Sequence, residues 1–200
     1  FEPTQDLDIT YVPGNDINVR LGLDRNYGDG GKFTMGFTFQ NYSEDQYNDK
    51  NLFQAGNRLR GDMSLAFRAG RSTWALYGVN VYRDQGDAFL DLVDGSNNVV
   101  GDTTVVVGWQ NLTVAGLNGS VPMGSTFRIR PSFDFRYQAR EESNGEGWLA
   151  GAGADIPLRL FGGMDTFPRG RFSWGQLMAP DGETYSLWGV ELGVTLRWRL

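Results

Sequence analysis

The residues Trp188-Gly189-Val190-Glu191-Leu192-Gly193-Val194-Thr195-Leu196-Arg197-Trp198-Arg199-Leu200 alternate without a break. Every even position is apolar, while the odd positions carry glycine, threonine or charge. Successive side chains of a strand point to opposite faces. The segment therefore predicts a strand with one hydrocarbon face and one polar face. A helix would need a period near 3.6, which is absent.

The same pattern recurs upstream. Phe127, Ile129, Phe133, Phe135 and Tyr137 oppose Arg128, Arg130, Asp134 and Arg136. Phe33, Met35, Phe37 and Phe39 oppose Thr34, Gly36, Thr38 and Gln40. Ile17, Val19, Leu21 and Leu23 oppose Asn18, Arg20, Gly22 and Asp24. Trp148, Ala150, Ala152, Ala154, Ile156, Leu158 and Leu160 oppose Gly151, Gly153, Asp155 and Arg159. Less regular segments cover 7–12, 59–69, 73–83, 103–115 and 167–178. The total is about ten strands, of lengths that match the roughly 9 to 11 residues a tilted strand needs to cross a bilayer.

Connections alternate in length. Short glycine-bearing turns fall at 27–31, 69–72, 116–125 and 162–165, and longer polar loops at 43–58, 84–102, 141–147 and 180–184. This parity puts Pro13-Gly14-Asn15 on the long-loop side. It puts both chain ends on the short-turn side, which requires an even strand count. The 84–102 loop carries its own hairpin signal, with Phe89, Leu90 and Leu92 before Asp94-Gly95-Ser96-Asn97 and Val99-Val100 after it. It reads as a protruding hairpin; as two spanning strands it would raise the count to twelve.

Composition narrows the function. The 200 residues contain no Cys and no His, which removes disulfides, thiol nucleophiles and the commonest general base and metal ligand. Net charge is −6, which argues against nucleic acid. Mean hydropathy is −0.39, and no apolar run approaches the roughly 20 residues of a spanning helix. Barrel strands expose only half their side chains to lipid, so an ordinary average is compatible with them. A start at Phe1, without a basic and apolar leader, is what a processed secretory protein would show. Aromatics make up 14%. Tyr11, Tyr42, Tyr82, Tyr137, Trp148, Tyr185 and Trp188 are expected near the long-loop ends of their strands. Phe33, Trp74, Phe127, Phe167 and Trp198 are expected near the short-turn ends. Two aromatic belts mark the two lipid–water interfaces of a barrel.

With its alternating apolar residues, the segment Val190–Leu200 resembles the terminal signature by which bacterial outer-membrane proteins are recognised for assembly. Such signatures usually end in Phe or Trp, and this one ends in Leu200 with Trp198 two residues before it. The resemblance is one of architecture, across essentially the whole chain. It implies an all-β, antiparallel, up-and-down transmembrane β-barrel of about ten strands, eight or twelve being the neighbouring counts. Residues 1–200 would form one domain in the bacterial outer membrane, with periplasmic termini. Outer-membrane lipid, lipopolysaccharide and the barrel-assembly machinery would be its partners, and an envelope protein could dock on its loops. A soluble lipocalin-like barrel binding an apolar ligand is the alternative, with its apolar face turned inward.

In the barrel, Arg20, Asp24, Arg68, Arg128, Arg130, Asp134, Arg136, Asp155, Arg159, Glu191, Arg197 and Arg199 face the lumen. They would act as an ion-paired plug or line a small pore for ions and anionic solutes. The acidic loops, with Glu44, Asp45, Asp49, Asp84, Asp87, Asp91, Asp94 and Asp102, show no metal-loop spacing. Asn41-Tyr42-Ser43, Asn111-Leu112-Thr113 and Asn118-Gly119-Ser120 match the glycosylation pattern, which in a bacterial barrel is chance. The catalytic outer-membrane barrels rely on a His that this chain lacks. The expected role is therefore non-enzymatic, without metal or cofactor: structural, adhesive or accessory, acting through extracellular loops.

Overall fold

The computed structural model describes residues 10–28, 30–96, 98–124, 127–141, 145–159, 164–179 and 181–198. The protein is all-β and antiparallel, with two open sheets. The main sheet takes its wall from nine long strands. They are β2 (Asp16–Tyr27), β3 (Gly31–Tyr42), β6 (Arg58–Ala69), β7 (Ser72–Arg83), β10 (Gln110–Met123), β11 (Phe127–Arg140), β12 (Gly147–Asp155), β14 (Met164–Met178) and β15 (Thr184–Trp198). The two-residue β13 (Leu158–Arg159) adds to β14. Each long strand pairs with its neighbours along the chain, as an up-and-down meander must.

The second sheet grows from the long connections, in the order β1-β4-β5-β8-β9. Its strands are β1 (Tyr11–Val12), β4 (Asp45–Tyr47), β5 (Lys50–Gln54), β8 (Gly86–Val93) and β9 (Val99–Val107). The expected hairpin at 84–102 is present and reaches Val107. The 43–58 connection, expected as a polar loop, forms a second hairpin that pairs with it through Phe53 and Ala88.

Five expectations need correction. Among the described residues no pair joins β2 to β15, so the sheet is open and no barrel is closed. The long strands number nine, and β2 and β15 run in the same direction, so the even count is not met. The strand expected at 7–12 is described only at Tyr11 and Val12, which pair with β4 in the second sheet. The strand expected at 103–115 divides at Gly108-Trp109 between the two sheets, because Thr103–Val107 completes the β8 hairpin. The segment from Trp148 likewise stops at Asp155; Pro157 offers no ladder donor, and β13 follows it.

The short turns require backbone that favours glycine. Gly28, Gly70 and Gly124 have φ of 52°, 60° and 68°.

Register assigns every face. Leu21, Phe37, Gly61, Asn80, Thr113, Tyr137, Trp148, Gln176 and Ser186 form one transverse row. Leu23, Met35, Met63, Gly78, Ala115, Phe135, Ala150, Trp174 and Trp188 form the next. One surface is thus mainly apolar across the nine long strands, with Asn80, Thr113, Gln176 and Ser186 in its row nearest the long connections, and it is uncovered. Leu192 is 81% exposed, Trp188 77% and Leu21 64%. The only buried apolar side chains among the described residues are Ala139 and Ala150. Total accessible surface is 14444 Å², whereas a compact chain of this mass would expose roughly 9,400 Å². Leaving that excess in water would cost on the order of tens of kcal/mol. The fold has no interior of its own on this side.

Candidate functional site: an arginine-rich polar face

The opposite face collects most of the basic residues. Arg20, Lys32, Arg58, Arg60, Arg68, Arg83, Arg128, Arg130, Arg136, Arg140, Arg169, Arg171 and Arg197 lie on it, thirteen cations. Asp16, Asp24, Asp62, Asp134, Asp155, Asp165 and Glu191 oppose them, seven carboxylates. The whole chain carries −6, so the charge is segregated. Eight carboxylates lie in the two longest connections, at Glu44, Asp45, Asp49, Asp84, Asp87, Asp91, Asp94 and Asp102, against the single Lys50. Lys50 pairs with Asp91 at 3.3 Å.

Toward the short-turn end the polar face lines an open cavity of about 1080 Å³. Its charged lining is Arg128, Arg130, Arg169, Arg171, Arg197, Asp155, Asp165 and Glu191, with Phe167 among them. β11, β12, β14 and β15 deliver these groups, because their odd or even positions meet in register here. Arg130 stands opposite Asp155, Asp155 opposite Arg169, and Asp165 opposite Arg197. Direct cross-strand neighbours lie close enough to interact.

Three ion pairs organise the cluster. Arg171 reaches across β12 to Asp134, with Nη2 at 2.7 Å from each carboxylate oxygen. Gly151 is the reason it can: a Cβ there would stand 2.4 Å from the same Nη2. Arg169 leans over Gly193 to Glu191 at 2.5 Å. Arg130 meets Asp155 at 3.7 Å. Two further arginines meet neutral groups. Arg128 donates to Ser120 Oγ at 3.5 Å. The Arg197 guanidinium lies 5.7 Å from the Phe167 ring centroid, and that of Arg130 lies 5.9 Å from the same centroid. Both are cation–π distances.

The expected network falls on one face. Arg20, Asp24, Arg68, Arg128, Arg130, Asp134, Arg136, Asp155, Glu191 and Arg197 share it by register, and the Arg159 position pairs there with Asp165. Arg199 lies outside the described residues. Arg128, Arg130, Asp155, Glu191 and Arg197 meet in the cavity, while Arg20, Asp24, Arg68 and Arg136 stand elsewhere on the face. Sequence reasoning missed Arg169, Arg171 and Asp165. A period-two signal was present, since Asp165, Phe167, Arg169 and Arg171 share a face. It was masked by Pro168 and Gly170 in the apolar row and by Phe167 in the polar one.

The aromatic positions divide. Phe33, Trp74, Tyr82, Phe127, Tyr137, Trp148, Trp188 and Trp198 lie on the apolar face. Tyr42, Phe167 and Tyr185 lie on the polar face, by register with Asp16, Thr195 and Leu177, so they do not join the belts. Tyr11 belongs to the second sheet.

At the other end Glu141 ties the sheets together. Its Oε2 accepts from Gln85 Nε2 at 2.6 Å and from the Trp109 backbone N–H at 3.3 Å. Among the described residues no cluster of ligating side chains could hold a metal ion. No protein-family model matches the chain, and no curated protein or solved structure matches it.

Proposed function

We propose that this chain forms the wall of a bacterial outer-membrane β-barrel, its apolar face against lipid and its arginine-rich face around the lumen. The observation that carries the reading is the apolar surface exposed across all nine long strands. A soluble barrel or sandwich buries that surface. Here the cavity lies on the charged side instead, the side that faces the lumen in a membrane barrel. Lipid and lipopolysaccharide then cover the outside, and the barrel-assembly machinery inserts the chain.

The role is non-enzymatic and exercised through the loops, as a structural, adhesive or accessory component of the envelope. The long connections support it, because they form a folded sheet, a surface on which an envelope protein can dock. A second reading, a narrow passage for small anions, is favoured by the thirteen cations against seven carboxylates on the polar face.

The test uses the absence of native cysteine. Ser96→Cys, at the β8–β9 tip, is expected to react with a membrane-impermeant maleimide on intact cells. Ser72→Cys, beside a short turn, is expected to react only after permeabilisation. Equal labelling of both on intact cells, or a chain that stays soluble without detergent, overturns the membrane reading. Stable single-channel currents in a planar bilayer would favour the passage over a filled lumen.

A further inference from the structure

We infer that the arginine cavity at the short-turn end of the polar face is a binding site for a phosphate group, carried as inorganic phosphate or as a small phosphomonoester. The site lies within the passage of the second reading above and deepens it.

Charge balance is the first argument. Five arginines line the cavity against three carboxylates. Counting Asp134, which engages Arg171, still leaves an excess of positive charge. The second argument is placement. Arg130 and Arg197 both approach the Phe167 ring, at 5.9 and 5.7 Å. Two guanidiniums gathered at one ring repel each other, more strongly away from bulk water. A bound anion removes that repulsion. Arg128, whose hydrogen bond to Ser120 is long, carries five donors on its guanidinium.

Geometry selects the anion. A planar carboxylate is satisfied by a single arginine fork. Arg130 comes from β11 and Arg197 from β15, so their guanidiniums reach the Phe167 ring from separate strands, and Arg128 also lines the cavity. A tetrahedral oxyanion can accept from several such directions at once, and its negative charge offsets the excess. The cavity of about 1080 Å³ leaves space beyond the phosphate for a small organic substituent. The Arg130 side chain is half exposed, so the site is open to solute.

The full chain, folded in detergent, is titrated calorimetrically with sodium phosphate, with glycerol phosphate and with a short-chain phosphatidylglycerol. Saturable one-to-one binding of the first two is expected. Preference for the lipid would instead overturn a solute site. Arg128→Ala/Arg197→Ala is expected to weaken phosphate binding at least about tenfold. Arg71→Ala, in a turn off this face, should leave it unchanged. Should the double variant not fold, Arg197→Lys keeps the charge, loses the fork and is expected to weaken binding by a smaller factor. Absence of phosphate binding by the native chain at about 10 mM, or equal affinity in the arginine variants, overturns the site. Binding without channel currents would retain the site and remove the passage; currents without binding would do the reverse.

Discussion

Arg171 Nη2 sits 2.7 Å from both carboxylate oxygens of Asp134, two strands away across the polar face. The Asp134 side chain is only 11% exposed. Removing one partner of a buried pair leaves an uncompensated charge, which is more damaging than losing the attraction alone.

Gly151 keeps that bridge open. Gly151→Val is expected to displace Arg171 and destabilise the folded protein by about 2–4 kcal/mol. Gly189→Ala lies on the same face with open space above it and should change stability by less than about 0.5 kcal/mol. Urea unfolding in lipid vesicles compares the two. Equal losses would show that the bridge contributes nothing specific.

The exposed apolar row predicts an asymmetry between faces. Leu192→Arg puts a charge where lipid is proposed and should cost about 2–4 kcal/mol of folding into a bilayer. Leu187→Arg, on the polar face by register with Gly175, should cost far less. A reversed order would place lipid on the wrong side.

Asp94 predicts an acid-sensitive hairpin tip. Its carboxylate accepts from the backbone N–H groups of Asn98 and Ser96, and these bonds hold its pKa below the usual aspartate value. A depressed pKa contributes stability above the unfolded-state value, and that contribution is lost as pH falls through the folded value. The tip should therefore be unaffected above about pH 5 and loosen below about pH 4. Amide exchange at Ser96 and Asn98 measures it, and Asp94→Ala should abolish the pH step.

Tyr11 predicts the opposite edge. Its hydroxyl donates to Asp45 Oδ2 at 3.0 Å, and that bond raises the phenol pKa. A raised pKa contributes stability below the unfolded-state value, near 10, and loses it as pH rises through the folded one. Absorbance titration should show Tyr11 ionising later than an exposed tyrosine, and Asp45→Asn should bring it back.

Much of the wall was legible in the sequence. Alternation at Val190–Leu200, Phe127–Tyr137, Phe33–Phe39 and Ile17–Leu23 placed four strands and both their faces, because a period of two survives any tertiary context. The alternation of short turns and long loops was legible in part for the same local reason, but the turn expected at 116–125 is strand as far as Met123, and residues 162–163 of the turn expected at 162–165 lie outside the described residues. Three things were not. Pairing of the 43–58 and 84–107 connections depends on contact between segments far apart in sequence, such as Phe53 with Ala88. The polar-face position of Phe167 is set by register with Thr195, and local hydrophobicity points the other way. The reach of Arg171 to Asp134 depends on space over Gly151, on a strand belonging to neither residue.

The segregation of charge has a consequence for how copies of the protein sit together. In the proposed membrane setting, molecules would share a single orientation, and their carboxylate-rich connections would stand side by side at the same height. Neighbours then repel laterally over a distance of about 8 Å, the screening length at physiological salt. Spacing in the plane of the membrane would become a function of the surrounding electrolyte, with dilute salt dispersing the molecules and concentrated salt letting them crowd.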